Sequence, residues 1–260
     1  MLPSRRRLFP GRSCIFQQHN ARPHSAAITA SWLRRRRIRV LKCPACKLYN
    51  HSCVAGDIKA GDLGLGAVPG RELEFRKGLD LTLKYAKALN CKRIHLMAGR
   101  IPVDAHRAAI AREMEDVFVQ NLNYAAGILA KEGITGLIEP INTRITDPRY
   151  FLDSPHQAAA ILEKVGKPNI QLQMDIFHWQ IMDGNLTKNM HKYFSIIGHV
   201  QIAQVPGRNE PDSNGELCYR YLLNTLEKLG YQGYIGCEYK PLDSTEESLG
   251  WIQQYWAQYS

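Results

Sequence analysis

The chain has 260 residues, of which 45% are hydrophobic and 22% are charged, and its formal net charge is +10. This composition is typical of a globular protein, and no apolar run approaches the roughly 18 residues that a membrane span requires, which excludes a transmembrane class. Seven cysteines in a chain of this length do not predict a disulfide-stabilised secreted domain, so we expect a reducing compartment.

The positive charge lies in the N-terminal segment. Residues 1–56 contain 12 Lys or Arg and no acidic residue, whereas residues 57–260 contain 22 basic and 24 acidic residues. The basic segment has three interpretations: an organelle presequence, an arm that binds nucleic acid or another acidic surface, or a stretch that does not fold with the rest. We therefore expect a basic segment over residues 1–55, a globular domain over residues 56–260, and a cytoplasmic location with a mitochondrial one as the alternative.

Helical and strand patterns alternate from about residue 57 onward. Apolar residues at spacings of three and four in residues 71–89 predict an amphipathic helix. The further helices are predicted over residues 103–131, from Pro155 to Gly166, near 186–195, near 216–229 and from about Ser244. The strands are predicted over residues 93–99, 134–142, 169–177, 199–203 and 234–239. Five alternations predict an α/β fold of parallel strands joined by right-handed crossovers, and the length suits one α/β barrel.

Four oxygen-bearing side chains lie within or at the end of successive predicted strands: Glu139, Asp175, Gln201 and Glu238. In a parallel barrel the carboxyl ends of all strands open onto one face, so these side chains are expected to converge there. Three converging carboxylates repel one another, and a divalent cation removes that conflict. An all-oxygen ligand set favours Mg²⁺ or Mn²⁺ over zinc. The alternative is that each acid only caps the helix that follows it.

Two histidines and two arginines near these strand ends are candidates for substrate binding. His178 follows Asp175 by three residues, and His95 lies on the first predicted strand, over residues 93–99. Arg208 and Arg144 lie in loops beyond strand ends, where a guanidinium group can hold a substrate carboxylate through paired hydrogen bonds. Either arginine has a solvated surface position as its alternative. His199 is expected to be a core residue, and Lys240 is assigned no role.

Six stretches carry a resemblance to a known family. They are "GLGAVPGR" (64–71), "HLMAGR" (95–100), "EPINTRITDP" (139–148), "QLQMDIFHWQIMDG" (171–184), "HVQIAQVPGR" (199–208) and "GCEYKP" (236–241). From about Gly56 to its C-terminus the chain resembles the hydroxypyruvate isomerases, a family similar to the xylose-isomerase-like and endonuclease-IV-like barrels.

The resemblance implies a metal-dependent interconversion of hydroxypyruvate and 2-hydroxy-3-oxopropanoate (tartronate semialdehyde) through an enediolate. Glu139 and Glu238 match the catalytic pair. The residues that match the metal ligands are Glu139, Asp175, Gln201 and Glu238. His178 and Arg208 match residues near the substrate, so the expected partner is a small hydroxy-oxo acid, and a homo-oligomer is compatible with the sequence.

The chain departs from that family in its first part. The family closes an eight-stranded (β/α)8 TIM barrel, whereas the five predicted strands resemble the fourth to the eighth. The first three strands should precede Gly56, where only "RIRVLK" (37–42) has a strand pattern. We therefore expect an incomplete barrel of about five C-terminal β/α units.

Two other function classes are weighed against the isomerase. In the first, the chain is a non-catalytic protein whose basic N-terminal arm binds nucleic acid non-specifically. In the second, it is a DNA-repair enzyme similar to endonuclease IV. The second is disfavoured because Gln201 stands where a nuclease with several metal ions would be expected to use a histidine.

Overall fold

The structure is a computed structural model that describes residues 14–18, 56–245 and 247–252. The strands within these ranges are β1 (Cys14–Gln18), β2 (Arg93–His95), β3 (Thr135–Ile138), β4 (Ile170–Asp175), β5 (Ile197–Ile202) and β6 (Ile235–Tyr239). The α-helices are α1 (Glu72–Ala88), α2 (Arg107–Lys131), α3 (Pro155–Val165), α4 (Ile176–Met182), α5 (Leu186–Tyr193) and α6 (Tyr219–Lys228). Short 3₁₀ turns cover Ile58–Ala60, Phe194–Ile196 and Glu247–Leu249.

All five predicted strands are present, and helices follow them in the predicted order. The ends of α3 are those expected from the sequence, because the Ser154 side chain accepts a hydrogen bond from the Gln157 main-chain N–H, and Gly166 ends the helix in the left-handed conformation. In α1 the apolar positions that predicted the helix are all buried. Hydrophobic periodicity and capping residues therefore located these elements correctly.

The chain divides into two compact units. The first unit comprises residues 43–184 and 195–199, and its sheet has β3 between β2 and β4, with both pairs parallel. Helices α1 and α2 pack against one another, and α2 and α3 do the same. The fully buried core of this unit includes Phe75, Leu79, Phe118, Leu122, Ile161 and Leu172.

The second unit comprises residues 1–42, 185–194 and 200–260. Strand β6 has a parallel partner on each side, since Val200 of β5 and Cys14 of β1 both lie opposite Ile235. Helix α6 buries Leu222, Leu223 and Leu226. The strand β1 was not predicted, and its pairing gives β6, the last strand of the described residues, a neighbour that the sequence analysis assigned to no element.

The prediction for residues 169–177 was wrong at its end. Strand β4 stops at Asp175, and Ile176 and Phe177 already belong to helix α4. The apolar run continues because these two side chains are buried in the helix rather than in the strand. The helix predicted from Ser244 begins as a 3₁₀ turn at Glu247. The "RIRVLK" stretch lies outside the described residues.

Across the described ranges, the longest helices are too short or too polar to traverse a bilayer.

Residues 64–67 lie along the chain that follows β2. The main-chain N–H groups of Gly66 and Ala67 donate to the carbonyls of Met97 and Ala98 at 3.0 and 2.6 Å. Gly64 and Gly99 both have left-handed φ values, of 102° and 103°. A Cβ atom at Gly99 would lie 2.6 Å from the Gly64 carbonyl oxygen, so only glycine fits this close approach beside the end of β2.

Replacing Gly99 with alanine is expected to lower the free energy of unfolding by about 2 kcal/mol or more, because the new Cβ atom collides with main chain at a strained φ. Gly127→Ala is the matched control, because Gly127 lies in α2 and a Cβ atom there meets nothing within 4 Å. That control should raise the free energy of unfolding by roughly 0.5 to 1 kcal/mol. Urea denaturation measures both changes, and equal effects of the two substitutions would contradict the packing described here.

Candidate metal and substrate site

Three buried side chains meet where two neighbouring strands of the first unit end. Glu139 directly follows β3, Asp175 is the last residue of β4, and His178 lies in the first turn of α4. Each offers one ligand atom, and these atoms lie within 4.8 Å of one another. Their exposed fractions are 4%, 1% and 2%, so the group is almost completely shielded from solvent. This spacing is close enough for one metal ion to bind within the group.

Asp175 has a structural task as well as a place in this group. Its Oδ1 atom accepts a hydrogen bond of 2.9 Å from the Phe177 main-chain N–H and so caps α4. Its Oδ2 atom lies 3.7 Å from His178 Nε2. Asp175 therefore does cap the helix that follows it, through Oδ1, while its Oδ2 atom lies on the side of His178.

The side chain of Asn142 determines which nitrogen of His178 carries the proton. Asn142 Oδ1 accepts from the main-chain N–H groups of Ile145 and Thr146, so its Nδ2 atom is the one that lies 2.8 Å from His178 Nδ1. The main-chain N–H of Asn142 donates to the same nitrogen at 3.2 Å. Because both groups are donors, Nδ1 must be an acceptor, and the neutral ring carries its hydrogen on Nε2. His178 therefore presents a hydrogen-bond donor to the carboxylates.

Two buried side chains of the same unit, His95 and Tyr150, interact with Glu139, His95 by proximity and Tyr150 through the electrostatic effect of the Glu139 charge. His95 Nδ1 is 3.5 Å from Glu139 Oε2, and burial lowers the pKa of His95 to about 3. The ring is therefore neutral near pH 7. Burial raises the pKa of the Tyr150 hydroxyl above its ordinary value, and the charge of Glu139 raises it further. Tyr150 stays protonated, and its oxygen accepts a hydrogen bond from the Ala98 main-chain N–H at 3.1 Å.

The second unit contains the other predicted carboxylate. Glu238 lies in β6, and its Oε1 atom is 3.1 Å from Arg208 Nη2. Gln201, in β5, donates from Nε2 to Glu238 Oε2. Burial raises the pKa of Glu238, against the opposing effects of the Arg208 charge and of the Gln201 hydrogen bond. Arg208 was predicted to hold a substrate carboxylate, and within this unit it holds the carboxylate of Glu238.

The first group suits a hard cation on chemical grounds. Two carboxylates within 4.8 Å, both shielded from water, repel each other, and a divalent ion between them removes that repulsion. Glu139 and Asp175 supply oxygen atoms. His178 does not supply a lone pair, because its Nε2 atom bears the hydrogen. The convergence of all four predicted ligands on one ion stays a prediction.

The remaining candidates lie elsewhere. Arg144 is exposed to solvent. His199 is buried in β5, as expected of a core residue, and the pKa of its ring is lowered to about 3 by burial and secondarily by the charge of Arg93. The main-chain N–H of Lys240 donates to the Arg208 carbonyl at 2.7 Å, which gives Lys240 a structural contact with the loop of Arg208.

Asn142 and Tyr150 were not identified from the sequence. Asn142 follows Glu139 by three residues and is fully buried, which a polar residue just after a strand could have indicated. Tyr150 lies eleven residues after Glu139, in a stretch with no regular periodicity, and its electrostatic interaction with Glu139 depends on how that stretch folds back. No local pattern predicts such an interaction.

Comparison with known proteins gives the same picture of the fold. Residues 19–255 match the family described as xylose isomerase-like TIM barrel. The crystal structure of an AP endonuclease, family 2, from Brucella melitensis superimposes with a TM-score of 0.79 at 35% identity, covering 94% of this chain and 98% of that one. These matches confirm the predicted α/β class of TIM-barrel type.

Two curated relatives are similar over most of their length. A Danio rerio protein with the provisional name hydroxypyruvate isomerase is 59% identical over 234 residues, covering 88% of this chain and 85% of that protein. A 2-oxo-tetronate isomerase from Cupriavidus necator is 46% identical over 200 residues, covering 77% of this chain and 75% of that protein. Both names describe isomerases of small oxo acids, and they differ in the number of carbon atoms in the substrate.

Removing either carboxylate of the first group is expected to weaken metal binding. Glu139→Gln and Asp175→Asn should lower the affinity for Mn²⁺ by roughly 10-fold or more, because each removes a charged ligand. His178→Gln should change it by less than about 3-fold, because glutamine keeps an N–H donor where the histidine has one. Isothermal titration calorimetry of the three variants measures these affinities. A loss in His178→Gln as large as in Asp175→Asn would show that the imidazole is a metal ligand.

The buried ring of His199 is expected to make stability depend on pH. The unfolded chain protonates this ring near its ordinary pKa of 6.5, whereas the folded protein does so only near 3. Stability is therefore complete above about pH 6.5 and falls as the pH drops toward 3, by about 2 kcal/mol between pH 7 and pH 5. Urea denaturation at the two pH values should show that His199→Gln loses this part of the dependence.

His106→Gln is the control for this experiment, because His106 is exposed just before α2. It should retain the pH dependence of the unmodified protein. If His199→Gln loses as much stability between pH 7 and pH 5 as the unmodified protein, His199 is not the source of the dependence.

Proposed function

Because the chain belongs to the xylose isomerase-like TIM barrel family, we propose that it is a metal-dependent isomerase that interconverts hydroxypyruvate and 2-hydroxy-3-oxopropanoate. The observation that carries the proposal is the pair of buried carboxylates, Glu139 and Asp175, at adjacent strand ends with the N–H of His178 beside them. Such a group can hold a cation and move a proton in a site without bulk water.

The reaction moves a carbonyl group between adjacent carbon atoms. A base removes a proton from C3 of hydroxypyruvate, an acid returns a proton to C2, and the hydroxyl proton passes from O3 to O2. Negative charge develops on the two oxygens between these steps, so the site needs a base, an acid and groups that stabilise oxygen anions.

We assign the proton transfers to Glu139 and Glu238, the pair that the family resemblance implies. The carboxylate of Glu139 is shielded from water, and the ring of His95 beside it is neutral. Burial raises the pKa of Glu238, which is the direction expected of a carboxylate that accepts and returns a proton. His178, whose Nε2–H is fixed by Asn142, is suited to donate a hydrogen bond to a substrate oxygen.

In this proposal Glu139 and Asp175 hold a Mg²⁺ or Mn²⁺ ion, and Gln201 and Glu238 are its further ligands. When bound, the ion polarises the substrate carbonyl and stabilises the negative charge that develops on its oxygens. Arg208 neutralises the carboxylate of the substrate, and it contacts Glu238 in the structure described here. The partner of the protein is thus a small hydroxy-oxo acid.

The three-carbon substrate is favoured over the four-carbon one by the higher identity to the Danio rerio protein and by the six matching motifs. The name of the Brucella melitensis structure suggests a DNA-repair function, but the candidate metal ligands of this chain do not favour it. The described metal group contains one histidine, and its tautomer makes it a donor rather than a ligand. Turnover of hydroxypyruvate and of 2-oxo-tetronate, measured side by side, decides between the two acids.

Turnover is expected to depend on both glutamates and on the metal. Glu139→Gln and Glu238→Gln should each lower kcat by roughly 100-fold or more, the scale of losing a general acid or base. Exhaustive chelation should abolish activity, and added Mn²⁺ should restore it. A coupled assay that follows hydroxypyruvate consumption measures these rates.

Glu113→Gln serves as the control, since Glu113 is exposed on α2. It should leave kcat within about 2-fold of the unmodified protein, as surface substitutions usually do. Full activity of the chelated protein, or of either glutamate variant, would exclude the mechanism.

A further inference from the structure

One glutamine organises the loop that carries Arg208. Gln204 lies just beyond the end of β5, and only 3% of it is exposed. Its Nε2 atom donates to the carbonyls of Pro211, Ser213 and Leu217 at 3.2, 3.1 and 3.0 Å. Its Oε1 atom accepts from the main-chain N–H groups of Val205 and Leu217 at 3.0 and 2.8 Å. One carboxamide group therefore joins both ends and the middle of residues 205–217.

The main chain of Gln204 closes the turn that bears Arg208. Its carbonyl accepts from the Arg208 N–H at 2.8 Å, and its N–H donates to the Asn209 carbonyl at 3.0 Å. Arg208 has a left-handed φ of 57°, which a non-glycine residue adopts only where its surroundings hold it. The turn thus projects Arg208 in one direction, toward Glu238 of the same unit.

A second set of contacts ties the same turn to the chain after β6. The Lys240 N–H donates to the Arg208 carbonyl, and the Asn209 side chain donates to the Lys240 carbonyl at 2.9 Å. Arg208 Nε also lies 3.4 Å from the Glu238 carbonyl oxygen. The guanidinium group is therefore positioned from two sides, by β6 and by Gln204.

We propose that Gln204 is a positioning residue, whose carboxamide holds residues 205–217 in the conformation that presents Arg208 to Glu238 and to the substrate. The effect on the substrate rests on the function proposed above. Glutamine suits the task because one short group supplies two N–H donors, which are shared among three carbonyls, and an oxygen that accepts from two N–H groups. Neither glutamate nor methionine supplies both, although each has a similar length.

The first test asks whether the effect of a Gln204 substitution on KM depends on the presence of Arg208. Gln204→Met should raise the KM for hydroxypyruvate roughly 10- to 100-fold, with a smaller fall in kcat, as expected for losing the support of a binding group. Arg208→Met should raise KM at least as much. In the Arg208→Met background, Gln204→Met should add less than about 3-fold, because a positioning residue has nothing left to position. Independent, multiplicative effects of the two substitutions would overturn the proposal.

A second variant disturbs the loop from its exposed side. A Cβ atom at Gly215 would lie 2.4 Å from Gln204 Cγ and 2.3 Å from the Val205 carbonyl oxygen. Gly215→Ala should therefore reproduce the rise in KM while leaving the buried core unchanged. The matched control is Gln171→Met, because Gln171 is a partly exposed strand residue with one hydrogen bond of 3.2 Å, to the Pro168 carbonyl. It should leave KM unchanged.

Amide hydrogen exchange measures the order of residues 205–217 and does not depend on any activity of the protein. In Gln204→Met, and in Gly215→Ala if the first variant does not fold, the amides of Arg208 and Leu217 should lose protection, while those of β5 and β6 keep it. Unchanged protection of Arg208 and Leu217 would overturn the proposal. If the unmodified protein does not convert hydroxypyruvate, the proposed function fails, and the exchange result still decides whether Gln204 holds the loop.

Discussion

Two carboxylates held in a dry interior are the constraint on which the described site depends. A buried negative charge on Glu139 or Asp175 is unfavourable unless other groups interact with it. Several neighbouring residues supply such interactions. Asp175 gives one oxygen to the first turn of α4, His178 directs an N–H toward it, and a neutral His95 lies against Glu139. These contacts leave both acids able to share one cation. A cation between the two carboxylates would compensate the negative charge that these contacts leave.

The buried carboxylate of Glu238, in the second unit, also needs its charge compensated. Its charge is compensated within the protein, by the guanidinium group of Arg208 and the amide of Gln201. Because Arg208 is already paired with Glu238, an anion that binds Arg208 must compete with the Glu238 carboxylate. In the proposed function the carboxylate of the hydroxy-oxo acid is that anion, and the pairing of Arg208 with Glu238 would then connect the charge of the substrate to the protonation of the proposed base.

Features that depend on neighbouring residues in the sequence could be predicted, whereas features that depend on contacts between distant residues could not. Helix α3 could be located because Ser154 and Gly166 act on their immediate neighbours. Strand β4 was predicted too long because a buried strand and a buried helix share an apolar composition, and only the cap at Asp175 separates them. The tasks of Asn142 and Gln204 could not be read at all. Each depends on hydrogen bonds that exist only after a loop has folded.

The pairing of β1 with β6 has a consequence for how the protein is made. Cys14 lies opposite Ile235, so the first described strand finds its partner in the last one. A ribosome builds the chain from its N-terminus, and β1 leaves the exit tunnel long before residues 235–239 have been polymerised. During that interval the main-chain groups of β1 cannot form this ladder. The sheet of the second unit is therefore completed only near the end of synthesis, and a chain released early lacks the partner of β1 altogether.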